Sequence, residues 1–364
     1  MLVPDPVDTE QQPKPKRFGW KTGVSVLLVI STVLFASGEL ITRKLIRIEF
    51  EGTVAAFRGS FFVLKPEKDY EYLLQPNLSS AIAAPRGHPW TYRINEQGFR
   101  GPNFSPKAAD EFRIVFLGDS FTFGWGVDQD KIFPVRMVEA LNQLTANRTV
   151  KGVNLAVPGY NTEMELALLK EQIDQLAPDL VFLSYVYNDA EPQQAAPMKP
   201  ERRYQFCSSW LLEQMKGGIS GVIGGPLLES KKFEGTFDVM AGFESGSWKW
   251  PRSKQALGDL ANLCQERGSR FYVAILPGFE ASFADHPYQP IHEKVKIWCD
   301  EFAIAHSDLL PLVEGVESKP LMIEGDGHPN ADGHALLAAK LLEQFPVRWI
   351  DSNPDRRTPG APAR

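Results

Sequence analysis

The chain has 364 residues, 43% hydrophobic and 23% charged, enough apolar material for one large folded domain with additions. A net charge of −6 supplies no basic stripe to displace counterions, which argues against a nucleic-acid partner. Three cysteines cannot all pair, and the spacing of Cys207, Cys264 and Cys299 neither demands a disulfide nor resembles a zinc ribbon.

Residues 1–18 form a polar, Pro-rich tail carrying Lys14, Lys16 and Arg17. Lys21 and Glu39 then bracket Thr22 to Gly38, 17 residues without charge. As a helix this stretch would reach ~25 Å, slightly short of a ~30 Å hydrocarbon core. Snorkelling by Lys21, Arg43 and Lys44 would make up the difference. Residues 19–41 therefore read as a transmembrane signal-anchor, with the membrane as partner and the bulk of the chain extracytoplasmic, periplasmic or at the cell surface. Ala36-Ser37-Gly38 also offers small residues to a signal peptidase, so a cleaved signal is the competing reading. Arg43, Lys44 and Arg47 nearly balance the basic residues ahead of the span, and charge alone orients it weakly.

Residues 42–110 read as a membrane-proximal arm of strands and turns. Tyr72-Leu73-Leu74-Gln75-Pro76-Asn77 and the run from Tyr92 to Gly101 are its recognisable parts, and Gly98 and Gly101 suit turns.

From 111 to 346 strand and helix patterns alternate. Short apolar runs predict strands near 112–118, 151–157, 179–187, 270–276 and 308–313, and amphipathic patterns predict helices over 131–147, 162–176, 254–268, 288–305 and 331–344. Five strands alternating with helices imply an α/β fold with a parallel sheet covered on both faces. An insertion at about 190–252 interrupts the pattern and holds Trp210, Trp248 and Trp250, which would either stack on sugar rings, line an acyl pocket, or pack on the body. Residues 347–364, rich in Pro and Arg from Asp351 onward, read as a disordered tail.

Chemistry-bearing residues fall at predicted strand ends. Phe112 to Gly118 delivers Asp119 and Ser120 to the carboxyl end of the first strand, where open α/β sheets place ligands. Val153 to Thr162 puts Gly159 on a turn after the second strand, and Leu180 to Asp189 ends the third in Asn188-Asp189. Far downstream stands Asp326-Gly327-His328-Pro329-Asn330. Each block alone is an ordinary turn; a serine with a histidine in reach makes a nucleophile and its base.

Ser, Gly, Asn and His in this order, over about residues 111–346, resemble the SGNH hydrolases, also called the GDSL esterase/lipase family. The Ile-Asn-x-x-Gly-Phe-Arg-Gly run at 94–101 looks like that of membrane-tethered bacterial members. The resemblance implies a flavodoxin-like three-layer α/β/α sandwich with a five-stranded parallel sheet. It also implies a serine esterase working without cofactor or metal. Ser120 would be the nucleophile, His328 its base and Asp326 the acid that orients the base. The backbone N–H groups of Ser120 and Gly159 and the Asn188 amide would form the oxyanion hole. Two departures stand out. The family's Asp-x-x-His is here Asp-x-His, with Gly325 at the usual acid position and Glu324 as the other nearby carboxylate. Val186 replaces the glycine that usually opens the third block.

The expected substrate is a carboxylic ester, an O-acetyl or other short acyl group on an extracytoplasmic glycan, with a lipid ester as nearest rival. Acyl transfer to a glycan through the same acyl-serine, or non-catalytic glycan binding, are the alternatives. His334 is expected on a helix face rather than as a second base, and Asp285-His286-Pro287 as a loop. The glycines near Ser120 fit neither dinucleotide nor P-loop spacing, and no G-x-S-x-G elbow or H-E-x-x-H motif occurs.

Overall fold

The structure is a computed structural model that describes residues 20, 23–38, 40, 61–65, 67–82, 90–190, 240, 243 and 249–351. Most of the insertion, with Trp210 and Trp248, lies outside these residues, as do the 1–18 tail and residues from 352 onward. Thr53–Pro200 and Phe233–Arg364 make one compact unit, and Met1–Gly52 with Glu201–Lys232 a second. In the second unit residues 23–38 are helical, with Leu27, Leu28, Val29 and Leu34 exposed. Among the described residues no helix is long and apolar enough to cross a membrane.

The larger unit begins with two antiparallel hairpins, β1 (Phe62–Leu64) with β2 (Tyr72–Leu74) and β3 (Ser79–Ile82) with β4 (Trp90–Arg93). Five parallel strands follow: β5 (Glu111–Leu117), β6 (Thr149–Asn154), β7 (Leu180–Tyr185), β8 (Arg270–Ile275) and β9 (Ala305–Asp308). Their spatial order is β6-β5-β7-β8-β9. The order reverses beside β5, and this doubly wound topology opens a crevice at the carboxyl ends of β5 and β7.

Both faces of β5 and β7 are buried, so their side chains divide by alternation. Val115, Leu117, Val181 and Leu183 join one core with α3 (Thr162–Leu176), α4 (Lys249–Glu266) and α5 (Gln289–Glu301). Ile114, Phe116, Leu180 and Phe182 join the other with α2 (Phe133–Leu144) and α7 (Ala331–Gln344). The short helices α1 (Ser120–Phe123), α6 (Leu310–Val313) and α8 (Arg348–Asp351) complete the sandwich.

Three expectations need correction. The last strand is Ala305–Asp308, not 308–313, because Pro311 has no N–H for a ladder and its fixed φ suits the first turn of α6. The helix expected to run to 305 ends at Glu301, where Ala303 turns left-handed (φ 53°). There Ile304 N–H donates to Cys299 O (2.8 Å) and Ala303 N–H to Asp300 O (3.1 Å), closing the helix in a Schellman motif. α4 starts at Lys249, five residues early, and buries Trp250 against Phe243 and Trp298. Trp250 is therefore a core residue and not a platform for sugar rings.

Arm residues Phe61, Tyr72 and Trp90 belong to the same core cluster as α3 and α4, and Cys264 and Cys299 are buried free thiols within it. Phe182, fully buried between Phe116 and Tyr272, tests the sheet core. Phe182→Ala should lower the unfolding free energy by about 3–5 kcal/mol in urea denaturation.

Candidate active site

β5 ends at Gly118, whose φ of 150° and close approach to Thr122 leave no room for a Cβ. Asp119 follows as N-cap of α1, accepting from the Phe121 N–H at 2.9 Å. That cap sets Ser120 at the first position of α1, half-buried at the mouth of the crevice.

His328 arrives on the loop before α7. Asn330 caps α7 by accepting from the Asp332 and Gly333 N–H groups, each at 3.0 Å. Ile323 N–H donates to His328 O at 2.8 Å and closes the loop on itself. His328 Nε2 lies 2.7 Å from Ser120 Oγ. Its Nδ1 makes a short hydrogen bond with Asp326 Oδ1. Asp326 and not Glu324 therefore meets the imidazole, even with one residue fewer between acid and base than is usual. Gly325 (φ 71°) and Gly327 (φ 85°) flank Asp326 in left-handed conformations and absorb the missing residue.

Gly159 sits in the turn after β6 with φ 83°. Tyr72 Oη from the arm donates to Pro158 O (2.9 Å), and a Cβ on Gly159 would stand 2.8 Å from that hydroxyl. Among the described residues no backbone carbonyl accepts from the N–H of Ser120 or Gly159. Asn188, after β7, donates one Nδ2 hydrogen to Asp119 Oδ2 at 3.0 Å. The four blocks thus converge on the carboxyl edge of β5, β6 and β7.

Asp119 is wholly buried, and burial raises its pKa; donors from Asn188, the Phe121 backbone and Ser120, with the nearby His328, oppose that rise. The hydrogen bond from His328 holds Asp326 below the usual carboxylate value. Two further carboxylates, Glu165 and Asp189, are buried behind the site. Burial raises both well above their ordinary values, Asp119 adding to each and Glu165 to Asp189. Among the described residues neither Glu165 oxygen has a hydrogen-bond partner.

His334 is buried in α7, accepts from the Phe133 N–H (3.2 Å) and stacks on the Phe133 ring. Burial lowers its pKa to about 3, so it is neutral and structural. His286 is a buried loop residue whose Nε2 bonds Gly278 O at 2.9 Å. Among the described residues no cluster of His, Cys, Asp and Glu has the arrangement to hold a metal ion. The sequence signals assigned no role to Asp119, although it stands within the Gly-Asp-Ser block, nor to Tyr72, nor to Arg100, whose buried guanidinium donates to the carbonyls of Phe123, Gly124 and Val127 beside the nucleophile helix. Arg100 lies inside the Gly-Phe-Arg-Gly run at 98–101, the one signal that pointed to it.

The family model for the GDSL-like Lipase/Acylhydrolase family matches residues 116–336. Among solved structures, TesA aligns at 14% identity and TM-score 0.42, over 65% of this chain and 99% of its own. The psychrotrophic esterase EstA from Pseudoalteromonas sp. aligns at 14% and 0.38, over 66% and 99%. A catalytic mutant of Axe2, an acetylxylan esterase from Geobacillus stearothermophilus, aligns at 16% and 0.40, over 66% and 97%. No curated protein sequence matches the chain.

With the folded pKa of Glu165 raised above the ordinary 4.5 by burial, the folded chain keeps a proton that the unfolded chain releases. Its stabilising contribution is full below the unfolded value and lost as pH rises through the folded one. Glu165→Gln removes that linkage. Its melting temperature should match wild type near about pH 4 and exceed it increasingly toward about pH 8. Thermal melts at stepped pH measure the difference.

Proposed function

The chain belongs to the GDSL-like lipase/acylhydrolase family and is a serine ester hydrolase, and from that premise we propose that Ser120, His328 and Asp326 are its catalytic triad. The 2.7 Å contact between Ser120 Oγ and His328 Nε2 carries this reading. Ser120 Oγ attacks the ester carbonyl while His328 Nε2 takes its proton. The carbonyl π pair moves to oxygen, and that oxyanion meets the Ser120 and Gly159 N–H groups and the second Nδ2 hydrogen of Asn188. Collapse expels the alcohol, which leaves with the proton from His328. Water, deprotonated by His328, then attacks the acyl-serine carbonyl; collapse breaks the bond to Ser120 Oγ, His328 returns the proton to that oxygen, and the acid is released. Asp326 keeps the imidazole in the tautomer that presents a lone pair to Ser120 and stabilises its charged form.

Short acyl esters, O-acetyl groups on extracytoplasmic glycans, are the substrate class we assign. Its support is the uncharged stretch at 22–38, which we read as the anchor that places the domain on the outer side of a membrane. Fractionation of the full chain tests that placement: recovery in membranes resistant to alkaline carbonate supports it, and recovery in the soluble fraction overturns it.

Fluorophosphonate labelling of the full chain tests the nucleophile without needing its substrate. Wild type should be labelled and Ser120→Ala should not; a folded wild type that stays unlabelled overturns the reading. Asn188→Ala should lower kcat on an aryl acetate by about 100- to 1,000-fold with KM little changed, as expected for a donor used in the transition state.

A further inference from the structure

The turn that follows β6 closes through the Tyr160 N–H, which donates to Val157 O at 3.1 Å. Pro158 and Gly159 are its two central residues, and the φ of 83° at Gly159 makes it a type II turn. Type II differs from type I in its central peptide, which is turned over between the two. Here that peptide carries Pro158 O on one edge and the Gly159 N–H on the other, because carbonyl and amide point in opposite directions across a trans bond. The direction of Pro158 O therefore decides where the Gly159 N–H aims. The turn residues alone do not commit that choice, since proline at the first central position suits both types and glycine tolerates either sign of φ.

A side chain from the arm commits it. Tyr72, in β2, is 3% exposed, and its Oη donates to Pro158 O at 2.9 Å. Its ring meets those of Phe62 (5.1 Å) and Tyr160 (5.2 Å) edge-on, which holds the hydroxyl in place. Burial raises the phenol pKa above its ordinary value, so the hydroxyl keeps the proton that it donates. Turning the peptide over would take Pro158 O away from this donor. A bond donated to the carbonyl also polarises the peptide and strengthens its N–H as a donor in turn. The approach is close: a Cβ on Gly159 would stand 2.8 Å from Tyr72 Oη. Among the described residues no backbone carbonyl accepts from the Gly159 N–H, so the donor that the arm aims is left for substrate.

We propose that Tyr72 is a positioning residue for the reaction, whose hydroxyl locks the Pro158–Gly159 peptide with its N–H aimed at the oxyanion. The inference rests on the oxyanion hole assigned above. It gives the arm a part in catalysis: β2 supplies no group that touches substrate, yet it sets one that does.

Tyr72→Phe, made in the full chain, removes the hydroxyl and keeps the ring. The variant should melt within about 5 °C of wild type. On an aryl acetate it should keep KM and lose kcat by about 10- to 100-fold, less than deletion of a donor, because the N–H is misaimed and not absent. An aryl trifluoromethyl ketone gives the second readout. Ser120 Oγ adds to its carbonyl carbon, the Oγ proton passes to His328 Nε2, and the π pair becomes an oxyanion where the ester's would form. Its inhibition constant should rise by about the factor by which kcat/KM falls. Tyr160→Phe is the control. The Tyr160 hydroxyl donates to Tyr72 O, so its loss also removes a hydrogen bond between turn and arm but leaves Pro158 O its donor. That variant should keep both kcat and the affinity for the ketone. Wild-type kcat in a folded Tyr72→Phe would overturn the proposal, as would an equal loss in the two variants, which would mark the contact as packing alone. A wild type that takes no fluorophosphonate and cleaves no ester would instead remove the site itself, and the proposal with it, so the two failures are distinct.

Discussion

A carboxylate with no access to water governs this site. Asp119 is fully buried, and a charge taken out of water persists only where donors replace its hydration. The Phe121 N–H and the Asn188 amide donate to it, and Ser120 Oγ stands 3.4 Å away. Each of those groups belongs to a part the chemistry needs: the start of α1, the end of β7 and the nucleophile itself. Satisfying Asp119 therefore fixes Ser120 relative to Asn188 across the β5–β7 crevice. The same carboxylate caps the helix and orients an amide one strand away, so a local preference of Asp for N-caps becomes a long-range constraint.

Much of this was legible in the chain because its signals are local. Apolar runs ending in Gly-Asp-Ser and Asn-Asp located β5 and β7 to within a residue or two, and the structure brings Ser120, His328 and Asp326 within hydrogen-bonding reach of one another. The failures have local causes too. Pro311 was read as part of a strand it cannot serve, and the Ala303 turn carries no glycine to announce it. For Trp250 the sequence left ligand contact and packing on the body open, because nothing in its neighbourhood reveals that Trp298, 48 residues on, covers it. Arg100 was harder still. Three acceptors of its guanidinium are backbone carbonyls 23 to 27 residues away, and carbonyls leave no trace in a sequence.

The missing residue in Asp-x-His shows how a loop can keep a geometry while losing its usual spacing. Moving the acid one position nearer the histidine would aim its carboxylate elsewhere on an ordinary backbone. Two positive-φ glycines redirect it, and they do so at the expense of stiffness, because glycine is the residue with most conformational freedom to lose. Contacts from outside the loop then have to supply the order that the loop gave up. The close approach of Gly126 to Ile323 is such a contact.

Val186 illustrates the opposite case, a departure that needs no compensation. A glycine is required where the backbone is left-handed or where a neighbour excludes Cβ, and Val186 has neither demand. It is absent from the positive-φ positions, its side chain is buried in the core beside α7, and its N–H donates to Asp189 Oδ2 at 2.5 Å. Asp189 thus shapes the turn that carries Asn188 without touching the crevice. Its cost is a second buried carboxylate near Asp119, with Glu165 as a third. Burial raises the pKa of both neighbours, with Asp119 adding to each and Glu165 to Asp189, so the buried carboxylates favour protonation in one another.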